Sequence, residues 1–285
     1  MNRVYLLCIA VVATVSTFGQ TTTISRNPNI IPYGGYTFNQ GNTNEYATYG
    51  GIYADYPLLK DSKFNLGVYG IYHTASYHEN LTQYNSQSQE KAIGLNGGVY
   101  LRGKSQVSFY LGGSAAYRFY REKSAVNATS YTNNGDESGV LFNANANLNL
   151  FKDYGILPRT QLIFNWQKLL NAKKTLIENN QTKQIVGAWN RGYYGALIKQ
   201  SITDARLNQS GLFGQFKLGL GFNEFDQGSP ENYIVMGEFA LKGKHLDDFL
   251  CLSAQYIMIP GINARFINMG ASLNVLGLFR FLNAN

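Results

Sequence analysis

Between residues 140 and 150 apolar and small polar side chains alternate, broken only at Leu141. Val140, Phe142, Ala144, Ala146, Leu148 and Leu150 share one parity, and Asn143, Asn145, Asn147 and Asn149 share the other. Successive side chains of an extended strand point to opposite faces, so this segment has one greasy wall and one wet wall. A soluble sheet ordinarily exposes Lys and Glu, whereas the second face here is mostly Gly, Asn, Ser and Tyr. Apolar residues turned to lipid and neutral polar residues turned to a lumen are what a bilayer requires of a closed barrel, because every backbone group must find its partner within the sheet.

The same periodicity predicts strands over 31–40, 45–56, 63–77, 91–102, 106–121 and 139–151, then over 159–169, 187–199, 211–223, 232–242, 249–259 and 265–281. The expected fold is all-β: a closed antiparallel transmembrane β-barrel of about 12 strands, between ten and fourteen, since pattern alone fixes strand ends poorly. Connections alternate in length, which checks the assignment independently. Those at 103–105, 152–158 and 243–248 are short, and those at 78–90, 122–138 and 171–186 are long and polar. Short turns belong at the periplasmic end of such a barrel and long loops outside, and an even strand count returns both termini to the periplasm.

Face assignments follow from parity. In the fourth strand Ile93, Leu95, Val99 and Leu101 turn outward, with Asn96, Tyr100 and Arg102 inward. In the fifth, Val107, Phe109, Leu111, Ala115, Tyr117 and Phe119 face lipid, with Ser108, Tyr110, Ser114, Arg118 and Tyr120 facing the lumen. A one-residue slip would put Arg118 into hydrocarbon at a cost of roughly 2–4 kcal/mol near the midplane, so the register is firmly held. In the last predicted strand Ile267, Met269, Ala271, Leu273, Val275, Phe279 and Phe281 are outward, and Asn268, Ser272, Asn274 and Arg280 inward.

Composition refines this picture. Gly at 30 of 285 residues and Tyr at 21 suit tilted strands with interfacial aromatic girdles. Beyond the first twenty residues no apolar run is long enough for a spanning helix. The chain opens with Arg3 before an apolar stretch over 4–15 and closes it with Ser16-Thr17-Phe18-Gly19, the pattern of a secretory signal peptide. We therefore expect a leader at 1–19 and one barrel domain at 20–285. Cys8 lies inside the leader core and lacks the setting of a lipoprotein cysteine, so Cys251 is left alone and no intramolecular disulfide is available. The formal charge is +7, or +6 once Arg3 leaves with the leader. Without a basic helix or compact basic patch, that charge points to lipid phosphates and lipopolysaccharide at loop roots rather than to nucleic acid.

Near the C-terminus, Asn268, Gly270, Leu273 and Val275 occupy a polar-x-Gly-x-x-apolar-x-apolar spacing. With it, the chain resembles the small outer-membrane β-barrel proteins of Gram-negative bacteria along essentially its whole mature length. The resemblance implies an integral outer-membrane location and a C-terminal insertion signal read by the barrel-assembly machinery. It also carries a departure: many such proteins end on an aromatic residue, whereas this chain runs past Phe281 through Leu282-Asn283-Ala284-Asn285.

Candidate chemistry is sparse. Some outer-membrane barrels are lipid hydrolases with a Ser-His pair on the lipid-facing wall, and Ser76 and His78, two apart on a strand, could share that face, with Glu79 or a neighbouring strand orienting the imidazole. The order departs from the His-x-Ser of those hydrolases, and with three histidines in the chain a structural rim histidine is the favoured reading. His73 and His78 fall on opposite faces, and Cys251 has no partner at ligand spacing, so no metal or other cofactor is expected. The Gly pairs are not placed between strand and helix as a phosphate loop would be. The remaining functional handle is lumen charge: Arg102, Arg118, Lys217, Glu238 and Arg280. In an open lumen they would select small solutes by charge, and in a sealed one they would pair into a plug. The expected function is a non-enzymatic outer-membrane barrel, either a narrow porin-like channel or an envelope scaffold with polar outer loops. The alternatives are a lipid hydrolase at Ser76 and His78, or a secreted soluble β-barrel binding protein.

Overall fold

The computed structural model describes residues 27–283 apart from connections at 41, 61–62, 80–83, 103–106, 127–130, 152–157, 179–180, 187–191, 207–211, 226–231, 243–247 and 261–262. The predicted leader at 1–19 lies outside the described residues. The strands are β1 (Asn29–Asn39), β2 (Asn42–Lys60), β3 (Phe64–Glu79), β4 (Tyr84–Arg102), β5 (Val107–Val126), β6 (Tyr131–Phe151), β7 (Pro158–Glu178), β8 (Gln181–Val186), β9 (Gly192–Arg206), β10 (Phe213–Phe225), β11 (Asn232–Lys242), β12 (Asp248–Ile259) and β13 (Ala264–Leu273), followed by one helix, α1 (Val275–Asn283).

Every strand pairs antiparallel with its neighbours, and two contacts close the ring. β1 pairs with β13, from Tyr33 opposite Ser272 to Asn39 opposite Phe266, and β6 pairs with β7. β7 pairs onward with β9, so twelve strands form the closed wall, and β8 pairs only with the upper part of β7, from Lys173 to Glu178. Closure removes the exposed edges that a bilayer would leave without hydrogen-bond partners.

The outer wall follows the predicted parity. Ile93, Leu95, Leu101, Leu111 and Phe119 are exposed, Ile93 at 71%, while Asn96, Ser108 and Tyr110 on the opposite rows are buried inside. Aromatic rings on the inner face lie flat over glycines. A Cβ added at Gly98 or Gly112 would collide with the Tyr110 ring, so these positions admit no side chain unless the tyrosine moves, and one at Gly35 would collide with both Tyr49 and the Met269 backbone oxygen.

Two expectations need correction. The long polar connections are not loops over most of their length: β3 continues to Glu79, β5 and β6 meet through a hairpin up to Val126 and Tyr131, and β7 and β8 form another. Their polar residues pair as extended strands beyond the apolar belt, so β5, β6 and β7 run to 20–21 residues against 10–12 for β11, β12 and β13. The barrel has a tall side and a short side.

The second correction is the last strand, which ends at Leu273 rather than at 281, with α1 in place of nearly half of it. The neighbouring strands explain why. β12 begins at Asp248 and β1 at Asn29, which the registers bring opposite residues 275 and 276, so a strand running on to 281 would have no partner on either side for its last five residues. A helix satisfies its backbone internally, and Asn274 supplies its N-cap, its Oδ1 accepting the Gly277 N–H at 2.9 Å. Val275 and Arg280 are therefore helical residues, and Arg280 does not line the lumen from a strand.

Candidate functional site: the barrel lumen

Two belts of polar side chains run round the inner wall. The first begins at β1, where the Tyr33 hydroxyl hydrogen-bonds His73 Nδ1 on β3 at 3.2 Å and the two rings stack. His73 pairs across the sheet with Glu90 of β4. Glu90 accepts from Arg118 Nε at 2.8 Å, and Arg118 Nη1 donates to Glu137 of β6 at 2.9 Å. The Arg118 and Glu90 side chains are only 13% and 15% exposed, and Glu137 is more buried still. The guanidinium is thus held in a fork between two carboxylates, a geometry Arg supports and Lys does not.

The second belt lies near the short-turn ends of six consecutive strands. Glu238 of β11 binds Lys199 of β9 at 2.5 Å and Lys217 of β10 at 3.6 Å. Lys217 Nζ donates to Gln161 Oε1 at 2.8 Å, Gln161 donates to Asn149 Oδ1 at 3.0 Å, and Asn149 donates to Ser108 Oγ at 3.3 Å. Of the charged residues singled out by parity, Arg118 therefore belongs to one belt and Lys217 and Glu238 to the other. Arg102 pairs through its backbone with Ser108, on a lumen-facing row, but its side chain lies outside the described residues.

Glu90, Glu137, Lys199 and Gln161 were missed from sequence. The signal was there for two of them: Glu90 and Glu137 sit in stretches read as loops, and extending the strand parity through those stretches places both on the lumen row with Arg118. The lumen also holds an apolar cluster that parity did not reveal. Tyr33, Tyr49, Tyr77, Ile234, Met236, Ile257, Ile259 and Phe266 pack together from β1, β2, β3, β11, β12 and β13, with Ile257 and Ile259 at 0% exposure.

The opposite half of the lumen is lined by amides. Asn143, Asn145, Asn147 and Asn149 of β6 stand beside Gln161 and Asn165 of β7, and Asn143 Nδ2 donates to Ser114 Oγ at 2.8 Å while Tyr69 donates to the same oxygen at 3.3 Å. The Oδ1 atoms of Asn143, Asn145 and Asn165 are buried without a protein donor. Such acceptors are ordinarily satisfied by water.

On the outer wall, Ser76 and His78 occupy the same face of β3, and Glu79 falls on the other row, opposite Glu45. The imidazole is instead held by Asn85 of β4, with Nδ1 and Oδ1 2.6 Å apart, and stacks on Tyr46. Among the described residues no hydrogen bond joins Ser76 to His78, and no group of three or more His, Cys, Asp or Glu is placed to hold a metal. Asn268, Gly270 and Leu273 of the predicted insertion signal lie on β13, with Asn268 turned inward to accept from Thr37 Oγ1 at 2.8 Å, while Val275 begins α1.

No family model matches this sequence, and no curated protein does. Solved structures do. The transport unit of the autotransporter AIDA-I from Escherichia coli aligns over 92% of this chain and 96% of its own at 16% identity, with a TM-score of 0.58. The translocator domain of the autotransporter NalP from Neisseria meningitidis aligns over 94% and 95% at 12% identity and a TM-score of 0.53. The β domain of the Bordetella autotransporter BrkA aligns over 87% and 98% at 10% identity and 0.51. The chain has the fold of the Gram-negative outer-membrane β-barrels.

Proposed function

We propose that this chain is a non-enzymatic integral outer-membrane barrel whose lumen is closed at rest, and that it serves as an envelope scaffold presenting its tall hairpins at the cell surface. The carrying observation is the pairing of lumen charge. Arg118 is neutralised by Glu90 and Glu137, and Lys199 and Lys217 share Glu238, so these groups form bolts within the wall rather than an open selecting field. The apolar cluster around Ile257 and Phe266 packs within the lumen on the side of β11, β12, β13 and β1. In this reading the apolar outer wall contacts lipid and the basic balance meets lipopolysaccharide phosphates, while the β13 segment at Asn268, Gly270 and Leu273 engages the barrel-assembly machinery. Small solutes do not pass without rearrangement of the wall. Osmotic swelling of vesicles carrying the refolded mature chain checks this: swelling by a pentose should match that of protein-free vesicles, and rapid swelling would overturn the closed state.

A second reading has one observation in its favour. Asn85 holds His78 Nδ1, as an orienting residue holds a general base, and Ser76 shares its face. Lipid turnover by the folded protein that vanishes in Ser76→Ala would establish a hydrolase; turnover unchanged by that substitution removes it.

A further inference from the structure

Two neighbouring strands on the tall side change character at the same height. On the outward row of β4, Ile93, Leu95, Val99 and Leu101 are exposed apolar residues, and the next position up is Lys91. On β5 the outward row is apolar or glycine from Val107 to Phe119, then carries Arg121 and Lys123. Lys91 pairs with Phe119, and Gln89 with Arg121, so Lys91 and Arg121 are diagonal neighbours on adjacent strands, with Cβ atoms roughly 7 Å apart. The cations therefore stand on the lipid-facing wall itself, at its upper edge. Lys91 Nζ lies 5.8 Å from the ring centroid of Tyr72, its cross-strand partner on β3, and the Tyr72 hydroxyl accepts from Gln89 Nε2 at 2.8 Å. Arg121 donates from Nε and Nη2 to Asp136 of β6 at 2.8 and 3.4 Å, and among the described residues no acceptor meets its Nη1. Three cations thus face one carboxylate, and the strip keeps a positive excess.

Above this edge the outward rows stay polar while the chain stays in strand. Thr74, Ser76 and His78 follow on β3, and Gln89, Gln87 and Asn85 on β4. From Lys91 to the end of β4 at Tyr84 there is roughly 20 Å of strand. The headgroup layer of a phospholipid is only about 5–8 Å deep, so it reaches the first of these positions and no further. Amide and hydroxyl side chains standing above a cationic edge suit a lipid whose phosphate carries sugars outward. The short side has no such arrangement: Arg265 faces outward on β13, but its cross-strand neighbours are Met258 and Gln40, and the strand ends one residue away at Ala264.

We infer that Lys91 and Arg121, with Lys123 above them, bind a phosphate of an outer-leaflet glycolipid whose sugars lie along the polar outward rows of β3 and β4. An ammonium and a guanidinium on adjacent strands supply charge-assisted N–H donors to one phosphate. This rests on the membrane placement and outward hairpins proposed above, and it locates the lipopolysaccharide contact. The mature chain is refolded in neutral detergent, checked for a heat-dependent gel shift, and titrated with bis-phosphorylated lipid A, the bound lipid being counted by native mass spectrometry. Lys91→Gln should weaken binding about tenfold, and its combination with Arg121→Ala about a hundredfold. Lys91→Arg should retain binding, and Arg265→Gln, which removes the same charge elsewhere, should leave it unchanged. Equal affinity in the wild type and the double variant overturns the site, as does an equal loss in Arg265→Gln. Should the double variant fail to fold, Lys91→Gln alone decides by the same criterion. Lipid A stripped of its phosphates should bind as weakly as the double variant, and undiminished binding overturns the phosphate contact. Phosphatidylglycerol bound as tightly as lipid A, or full displacement by millimolar inorganic phosphate, overturns the glycolipid assignment. Wild-type protein is also reconstituted in phospholipid vesicles and washed with carbonate. Release by the wash overturns the membrane placement, whereas retention together with unaltered lipid A binding in the double variant overturns the site alone.

Discussion

The two halves of the lumen mix apolar and polar side chains differently. From β11 through β13 to β3, isoleucines, a methionine, a phenylalanine and tyrosine rings interlock, interspersed with buried Asn232, Ser253, Gln255 and Asn268. From β4 to β7, the same inward rows carry Asn, Ser and Gln, with carbonyl oxygens left for water, and an arginine locked between carboxylates. One half adds an apolar cluster to its hydrogen bonds and the other relies mainly on charge and hydrogen bonds, although lipid sees the same apolar surface on both. The outer wall is dictated by the bilayer, whereas the inner wall is free to vary, and the proposed closure of the lumen rests there.

Substitutions can break that contrast in graded ways, read as urea unfolding of the refolded barrel. The largest effect is expected at Arg118→Met, which strands two buried carboxylates and should cost about 3–5 kcal/mol. Adding Glu90→Gln and Glu137→Gln should recover most of it, and no recovery would mean that the arginine matters through packing. In the apolar cluster, Ile257→Ala should cost roughly 2–5 kcal/mol as a cavity opens. Its counterpart Asn145→Ala in the amide half should cost about 0.5 kcal/mol or less, because water replaces the lost group. Equal costs at these two positions would erase the distinction. Gly98→Val, which drives a branched side chain into the Tyr110 ring, should cost about 1–3 kcal/mol. The smallest effect is expected for Arg121→Ala: its pair with Asp136 stands in solvent on the hairpin extension, and unfolding should not shift measurably.

The strand number was legible because lipid enforces a strict alternation, as at Val140 to Leu150, and closure then follows from an even set of antiparallel neighbours. The inner apolar cluster was not, since the run Tyr256-Ile257-Met258-Ile259 is apolar on both parities and periodicity cannot say which side is lumen. Nor was α1. Val275, Phe279 and Phe281 keep the outward parity of β13, and Asn274 and Arg280 keep the inward one, so a helix written in those residues reads as strand. Only the lengths of the neighbouring strands, a tertiary property, remove its pairing partners. The hairpin extensions failed for the converse reason: Asn, Ser and Gln carry turn propensity, and extended pairing beyond the membrane overrides it. Of the candidate site, Arg118, Lys217 and Glu238 could be placed by parity alone. Their partners could not, because two of them lay in stretches whose strand character was hidden by composition.

The central claim, a lumen bolted shut by paired charge and an apolar cluster, is tested most directly by planar-bilayer recording of the folded wild-type chain. A baseline without discrete steps is predicted. Steady unitary currents from the unmodified protein would contradict it.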